Sequence, residues 1–510
     1  MKEISEYTYK VNGQTIQLEL DDENMGVRFK APSTRSSRAT LSNAIEGFRS
    51  FSERIELPKE MFTILKMERG VQPSEVGRTL DQVDEVANVA PVFKIGSKRV
   101  VATDRVFIGL SDVAKKIEIV GNLDGQILEE DGLELLVKLP EGIDPFQIIQ
   151  QLDQNKDIEY AEPDFVIMGM YLPRVTNSIR ISNLSSYTQF QYALDITKTR
   201  QAWKNQLGDE KVKIAILDEG VDTLHEDLKN AIVGSYDGTD NDSFQEPHSG
   251  DAHGTACAGL AAAVRNSLGI SGVGAGCSLL AVRIAFSNNK GEWVTSNSCI
   301  ARAIDWSWRN GADILSNSWG GGAPSRKIIN AFERARTLGR DSKGCIIVIA
   351  AGNDSRPVDF PGNLKEILTV SASNEYDEPK TWSSADGETW WGSNFGDAVD
   401  VSAPGVHNYS TDISGIDGYN DGSRGVDKNY VDNFNGTSSS TPIVAGCAGL
   451  ILSANPDLTE AQVRKIIVSN TDKVGQVNYD ANGHNVQMGY GRLNVLKSVL
   501  AAKKRLSETP

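Results

Sequence analysis

From residue 212 onward, short apolar runs alternate with longer helical patterns, and this alternation leaves few folds open. The runs 212–217, 279–284, 312–317, 345–350, 366–371 and 398–401 have the length and continuous hydrophobicity of buried strands. Between and after them, 254–264, 295–309, 325–338, 440–453 and 459–469 read as helices. Strands separated by helices build a parallel sheet with helices on its faces, an α/β architecture. Sites in such sheets lie beyond the carboxyl ends of the strands. Asp218 ends the run Ile214-Ala215-Ile216-Leu217, and Asn353 closes the run that begins at Ile346, so both are expected at that edge.

A third polar stretch is Asn435-Gly436-Thr437-Ser438-Ser439-Ser440-Thr441-Pro442, followed by the apolar run Ile443 to Leu452. It suits a nucleophile at a helix N-terminus, where free backbone N–H groups stabilise an oxyanion. A serine hydroxyl needs an adjacent base to attack an amide. His253, in His-Gly-Thr before a small-residue run, is suited to that task, with Asp218 to orient the imidazole. Taken singly, each residue reads equally well as a cap or a turn. Their joint presence in the order Asp, His, Asn, Ser favours catalysis.

Asp218-Glu219-Gly220, His253-Gly254-Thr255, Ala351-Gly352-Asn353 and Gly436-Thr437-Ser438 resemble the signatures of the subtilisin-like serine proteases, the subtilases. The resemblance covers roughly residues 196–500 and implies a subtilisin-like parallel sheet flanked by helices. It implies a serine endopeptidase with Asp218, His253 and Ser438 as triad and Asn353 as oxyanion donor. Subtilases often carry a small residue where this chain has Glu219, which adds a carboxylate near the site. Protein or peptide substrate is then expected to pair as an added strand. Ser318, Trp319, Gly320 and Gly321 (with Gly322) resemble one cleft edge, and Phe286 to Trp293 the other. Asp354 matches the rim of the S1 pocket, where a carboxylate would favour Arg or Lys. Against that stands a solvated loop acid. Cys257, one helical turn beyond His253, implies sensitivity to thiol reagents. A dedicated processing protease with one substrate and a non-catalytic scaffold are the rival readings.

Val264-Arg265-Asn266-Ser267-Leu268-Gly269-Ile270 resembles the subtilase calcium loop. The resemblance implies Ca²⁺ held by Val264, Asn266, Leu268 and Ile270, with Asp227 as the distant carboxylate. Hard oxygen donors in a loop suit this ion. Asp237, Asp240, Asp242 and Asp251 form a second acidic cluster like that of the kexin branch, and Asp412 to Asp432 hold a third. Acidic glycine-rich loops are more often solvated than metal-loaded.

Ahead of the catalytic region, residues 1–95 read as an α+β region of unknown role. It has a hairpin over Tyr7–Val11 and Thr15–Glu19, a strand over Met25–Lys30 and a helix over Ser37–Ile55. Residues 96–170 show a β-α-β-β-α-β order, which suggests a ferredoxin-like module. This segment resembles subtilase propeptides, which implies that the N-terminal region inhibits the enzyme from within the chain; a permanent accessory domain is the alternative. Residues 171–195 are expected to be an exposed linker, with Arg174 and Arg180 as self-cleavage points, and 501–510 a tail. The net charge of -16 argues against nucleic acid as a partner. No stretch is expected to span a membrane, and the N-terminus lacks a signal-peptide pattern. Five cysteines without paired spacing favour free thiols and a cytoplasmic setting.

Overall fold

In the larger of two units, the apolar runs form a seven-stranded sheet among the described residues. Its order is Ile232–Asp237, Ser278–Arg283, Lys213–Asp218, Ile314–Asn317, Ile346–Ala350, Leu368–Ser373 and Val401–Pro404. Every ladder in it is parallel. The computed structural model describes residues 7–30, 51–57, 62–71, 73–80, 83–84, 86–170, 186–420 and 427–508. The larger unit is Tyr171–Phe286, Cys299–Gly321 and Asn330–Pro510; the other is Met1–Met170 with Ser287–Ser298 and Gly322–Ile329.

Two helices of the larger unit, His253–Ala262 and Thr437–Ala454, pack against each other and against the sheet. Small residues permit the close approach. A Cβ on Gly254 would lie 2.1 Å from the Gly220 carbonyl oxygen, so only glycine lets the helix start beside the Asp218 turn. Thr437–Ala454 is long and apolar enough to cross a membrane, contrary to expectation, but 94% of it is buried in the core of this unit. The strand Ile232–Asp237 was not expected: it is an edge strand, half exposed and interrupted by Gly234, so its hydrophobic pattern is weak. The expected tail 501–510 instead continues the helix Val495–Glu508, whose Val499 and Ala502 are fully buried.

The smaller unit is built on an antiparallel sheet whose longest strand is Lys98–Leu110. Thr8–Val11 and Gln14–Gln17 form the expected hairpin, with Asn12 (φ 50°) and Gly13 (φ 77°) in its turn. The expected helix over Ser37–Ile55 is corrected at its end. Phe51–Leu57 is a strand paired with Phe62–Met67, because Ile55 and Leu57 alternate into the core in register with that partner. Residues 37–50 lie outside the described residues, as do 171–185 with Arg174 and Arg180. Over 98–169 the order is strand, helix, strand, strand, helix, strand; Lys98–Leu110 lies between Ile158–Gly169 and Glu134–Lys138, and the latter also pairs with Gln126–Asp131. Residues 1–95 and 96–170, expected as separate regions, share this sheet, since Lys98–Leu110 pairs with Val86–Ile95 as well. Tyr7, Phe93 and Phe146 close the core with ring centroids 5.2–5.8 Å apart.

Strand Ile158–Gly169 also pairs antiparallel with Trp293–Ser296 inside this unit. Two acids on it act as caps. The Glu162 carboxylate accepts the Ser325 hydroxyl and the backbone N–H groups of Arg326 and Lys327 at 2.6–3.0 Å. Asp164 accepts the Ser298 N–H at 3.0 Å and its hydroxyl at 2.8 Å. These are first-turn donors of helices, which lack partners within the helix.

Candidate active site

Three neighbouring strands deliver polar residues to one edge of the parallel sheet. Asp218 ends Lys213–Asp218, Ser318 follows Ile314–Asn317, and Asn353 follows Ile346–Ala350. His253 opens one helix of the pair and Ser438 lies in the first turn of the other. Asp218, His253 and Ser438 are all buried. His253 Nδ1 is 2.8 Å from Asp218 Oδ1 and 3.0 Å from Oδ2. The Glu219 N–H donates to Asp218 Oδ1 at 2.9 Å, so the carboxylate is fixed before it meets the ring. Phe434 stacks edge-on against the imidazole at 5.4 Å.

Ser438 is held at its carbonyl as well as its hydroxyl. Pro442, four residues on, has no N–H to give the Ser438 carbonyl, so the helical bond at that point is missing. The Ser318 hydroxyl donates to that carbonyl at 2.9 Å, with the Cys257 thiol beside it at 3.6 Å. In return the Ser438 hydroxyl donates to the Ser318 carbonyl at 3.1 Å. Ser318, expected only as a cleft edge, therefore also braces the Ser438 backbone. The following Trp319 is buried, and Gly321 donates its N–H to the Phe360 carbonyl at 2.9 Å.

Asn353 is oriented by Thr437. Its Oδ1 accepts the Thr437 N–H and hydroxyl, which leaves the Nδ2 end as the donor for a substrate oxygen. Gly436 (φ 104°) makes the turn into the helix in a region that disfavours side chains.

Cys257 is corrected. Its Sγ is 3.8 Å from His253 Nδ1, as the one-turn spacing anticipates, but the residue is fully buried. Burial, then the Asp218 carboxylate, push its thiol well above the usual range, so little thiolate exists to meet a reagent. Asp218, His253 and Cys257 also form a three-residue group with metal-ligand spacing. The mutual hydrogen bonds of the first two account for it without an ion.

Asp354 lies beside Arg356, whose Nε is 3.5 Å from it and whose guanidinium also pairs with Asp359. Asp354 therefore has an intramolecular cation close by, which sequence spacing did not reveal.

The structure brings Asp227 together with the loop 264–270, but its donors meet the carboxylate themselves. Asp227 is fully buried; Oδ1 accepts Asn266 Nδ2 at 2.9 Å, and Oδ2 accepts the Ile270 N–H at 2.9 Å and the Tyr430 hydroxyl at 3.0 Å. Asn266 Oδ1 in turn accepts the Leu268 N–H, and the Val264 N–H donates to the Asp227 carbonyl. A cation here would share the Asp227 and Asn266 oxygens with these donors or displace them. The other acidic groups are also served by protein donors. Arg283 pairs with Asp237 and lies 3.7 Å from Asp240; Asp251 has His248 at 3.5 Å. Asp412 accepts the N–H groups of Ile413, Tyr419 and Asn420.

A match to the subtilase family spans residues 209–491. The chain belongs to this family. It is similar to the calcium-dependent protease of Nostoc sp., 31% identical over 472 residues, covering 84% of this chain and 69% of that protein. Thermitase of Thermoactinomyces vulgaris is 32% identical over 315 residues, covering 61% of this chain and 97% of that one. Among solved structures, fervidolysin from Fervidobacterium pennivorans, a keratinolytic enzyme related to subtilisin, shares the fold. It has a TM-score of 0.60 and 23% identity, covering 80% of this chain and 61% of that one. The subtilase is accordingly a hydrolase of peptide bonds, a serine endopeptidase.

Proposed function

We propose that this subtilase cleaves peptide bonds with Ser438 as nucleophile, His253 as general base and acid, and Asp218 as the orienting carboxylate. The 2.8 Å contact between His253 Nδ1 and Asp218 carries the reading. A proton on Nδ1 leaves Nε2 as the acceptor, the tautomer a general base requires. For attack, the Ser438 hydroxyl leaves the Ser318 carbonyl and passes its proton to Nε2 as Oγ bonds to the scissile carbon. Asn353 Nδ2 and the Ser438 backbone N–H meet the oxyanion. His253 then protonates the departing amine, and water repeats the sequence on the acyl-enzyme.

Residues 96–170 serve in this reading as a ferredoxin-like inhibitory module released by self-cleavage within 171–195. Its support is the pairing of Ile158–Gly169 with Trp293–Ser296, next to a segment expected to form one edge of the cleft. Calcium enters through the similarity to a protein named a calcium-dependent protease, and at Asp227 it would share the carboxylate with the present donors or displace them. Asp354 favours a basic residue before the cleaved bond to the extent that Arg356 releases it. The buried free thiols of Cys257, Cys277, Cys345 and Cys447 support a cytoplasmic setting.

The test is the intact mass and peptide hydrolysis of the full chain and of Ser438→Ala, with calcium and with chelator. Wild type is expected to hydrolyse peptides and to be clipped between 171 and 195, and the variant to do neither. Hydrolysis by Ser438→Ala would refute the assignment, and active but unclipped wild type would make the N-terminal region a permanent domain.

A further inference from the structure

The turn that presents Ser438 enters its helix without a side-chain cap, since the residue in the cap position is Gly436. What holds this turn is Asn435, immediately before it. Asn435 Nδ2 donates to Glu388 Oε1 at 2.8 Å, and Asn435 Oδ1 accepts the His407 N–H at 2.7 Å. Both ends of one amide are thus fixed to two different loops. His407 sits at φ 52°, a conformation uncommon for a non-glycine residue. Two ionic contacts hold its ring: Nδ1 is 3.1 Å from Glu375 Oε1, and Nε2 is 3.4 Å from Glu388 Oε1.

We propose that Glu388 is a positioning residue for the nucleophile, holding Asn435 so that Thr437 and Ser438 are placed for reaction, with His407 closing the clamp from the other side. The inference rests on the assignment of Ser438 as nucleophile. Glu388 is itself held rigidly. It is 4% exposed, its Oε2 accepts Trp391 Nε1 at 2.6 Å, and its N–H donates to Asp386 Oδ1 at 3.0 Å. A fully buried Lys380 bonds both Asp386 and the Glu388 carbonyl. Three charged groups and a buried ion pair are an expensive way to hold a loop that apolar packing would hold as well. They do, however, supply direction. The clamp ends on the residue that sets Gly436 and Thr437, and Thr437 orients the Asn353 amide. Displacing a reacting group by about 1 Å costs on the order of 100-fold in rate.

The clamp also titrates. Glu375 and Glu388 hold the His407 imidazolium, raising it to about 10. The groups facing it are these two carboxylates, with the Tyr192 hydroxyl on the Val406 carbonyl and under the influence of Glu375. The clamp therefore stays closed through neutral pH and loosens on the alkaline side.

The test uses the full chain and a peptide anilide, with kcat and KM measured from pH 6 to 11 for wild type, Ser438→Ala, Glu388→Gln and Glu375→Gln. Glu388→Gln is expected to lower kcat about 10- to 100-fold with KM within about twofold, and to move the alkaline fall of kcat to lower pH. Glu375→Gln removes the other carboxylate without touching Asn435 and is expected to move the same fall to lower pH. It keeps the inference testable should Glu388→Gln not fold. A purely structural role would lower thermal stability without moving that fall. An unmoved alkaline limb in every folded variant, with Ser438→Ala inactive, overturns the inference alone. An active Ser438→Ala overturns the nucleophile assignment and the inference with it.

Discussion

Asn353 Oδ1 accepts the backbone N–H of Thr437 at 2.9 Å and its hydroxyl at 3.0 Å, so the residue before Ser438, the proposed nucleophile, sets which way the Asn353 amide turns. Thr437 Oγ1 also accepts the Gly352 N–H at 3.1 Å, tying the two loops in both directions. Thr437→Val keeps the shape and the backbone N–H but loses the hydroxyl. It is expected to reduce kcat about 3- to 10-fold, the worth of one hydrogen bond of about 1 kcal/mol. Asn353→Ala is expected to cost about 100- to 1000-fold. Steady-state kinetics on one peptide compares them, and an unchanged kcat in Thr437→Val would contradict the assignment of its hydroxyl as an orienting partner.

The Tyr430 hydroxyl on Asp227 makes a second expectation. Its oxygen also lies 2.8 Å from Glu226 Oε1, so its one proton is shared between two carboxylates, and burial with these carboxylates holds it un-ionised. Tyr430→Phe removes a donor from a buried carboxylate and is expected to cost about 1–3 kcal/mol of stability in chelator. If the hydroxyl competes with a cation for Asp227, calcium restores part of that loss, because an ion that binds only the folded state raises its stability. Thermal melts of both proteins with calcium and with chelator measure the difference. An identical calcium increment in the two would end the idea that tyrosine and ion compete.

At the proposed S1 rim, Arg356 sits between Asp354 and Asp359. Arg356→Ala is expected to raise cleavage after Arg relative to Leu by unmasking Asp354, and Asp354→Asn to lower the same ratio. The pair is exposed enough for solvent to screen it, so a shift of about two- to fivefold is expected. Ratios of kcat/KM on matched peptides decide it, and no change in either variant would remove Asp354 from the pocket.

Glu162 yields a pH expectation for the smaller unit. Burial, opposed by its hydrogen bonds to Ser325, Lys327 and Arg326, raises its carboxyl to about 7. A folded-state value above the unfolded one, near 4.3, means that the folded unit takes up a proton. That stabilisation is fully present below the unfolded value and is lost as pH rises through about 7. Hydrogen exchange in strand Ile158–Gly169 is expected to slow, beyond the chemical rate change, as pH falls from 8 to 6. Glu162→Gln should flatten that dependence, and an equally steep profile in the variant would place its origin elsewhere.

By itself the sequence determined the alternation of strands and helices, and it marked the polar residues that end Ile214–Asp218 and Ile346–Asn353. Those signals are local: strand burial and helix periodicity appear within a dozen residues, and a glycine such as Gly436 announces its own turn. It was weaker where burial is one-sided, as in the edge strand Ile232–Asp237, and it misjudged Phe51–Leu57, whose strand conformation comes from pairing with Phe62–Met67. Only the tertiary structure decided which donors meet which acceptors. Tyr430 reaches Asp227 from 203 positions away, and Ser318 braces Ser438 from 120. Such pairs carry no signal in spacing, because a buried carboxylate or carbonyl requires a partner but does not specify which part of the chain supplies it. The acids that read as cation ligands are thus answered by Tyr430, Arg283 and backbone N–H groups once the chain is folded.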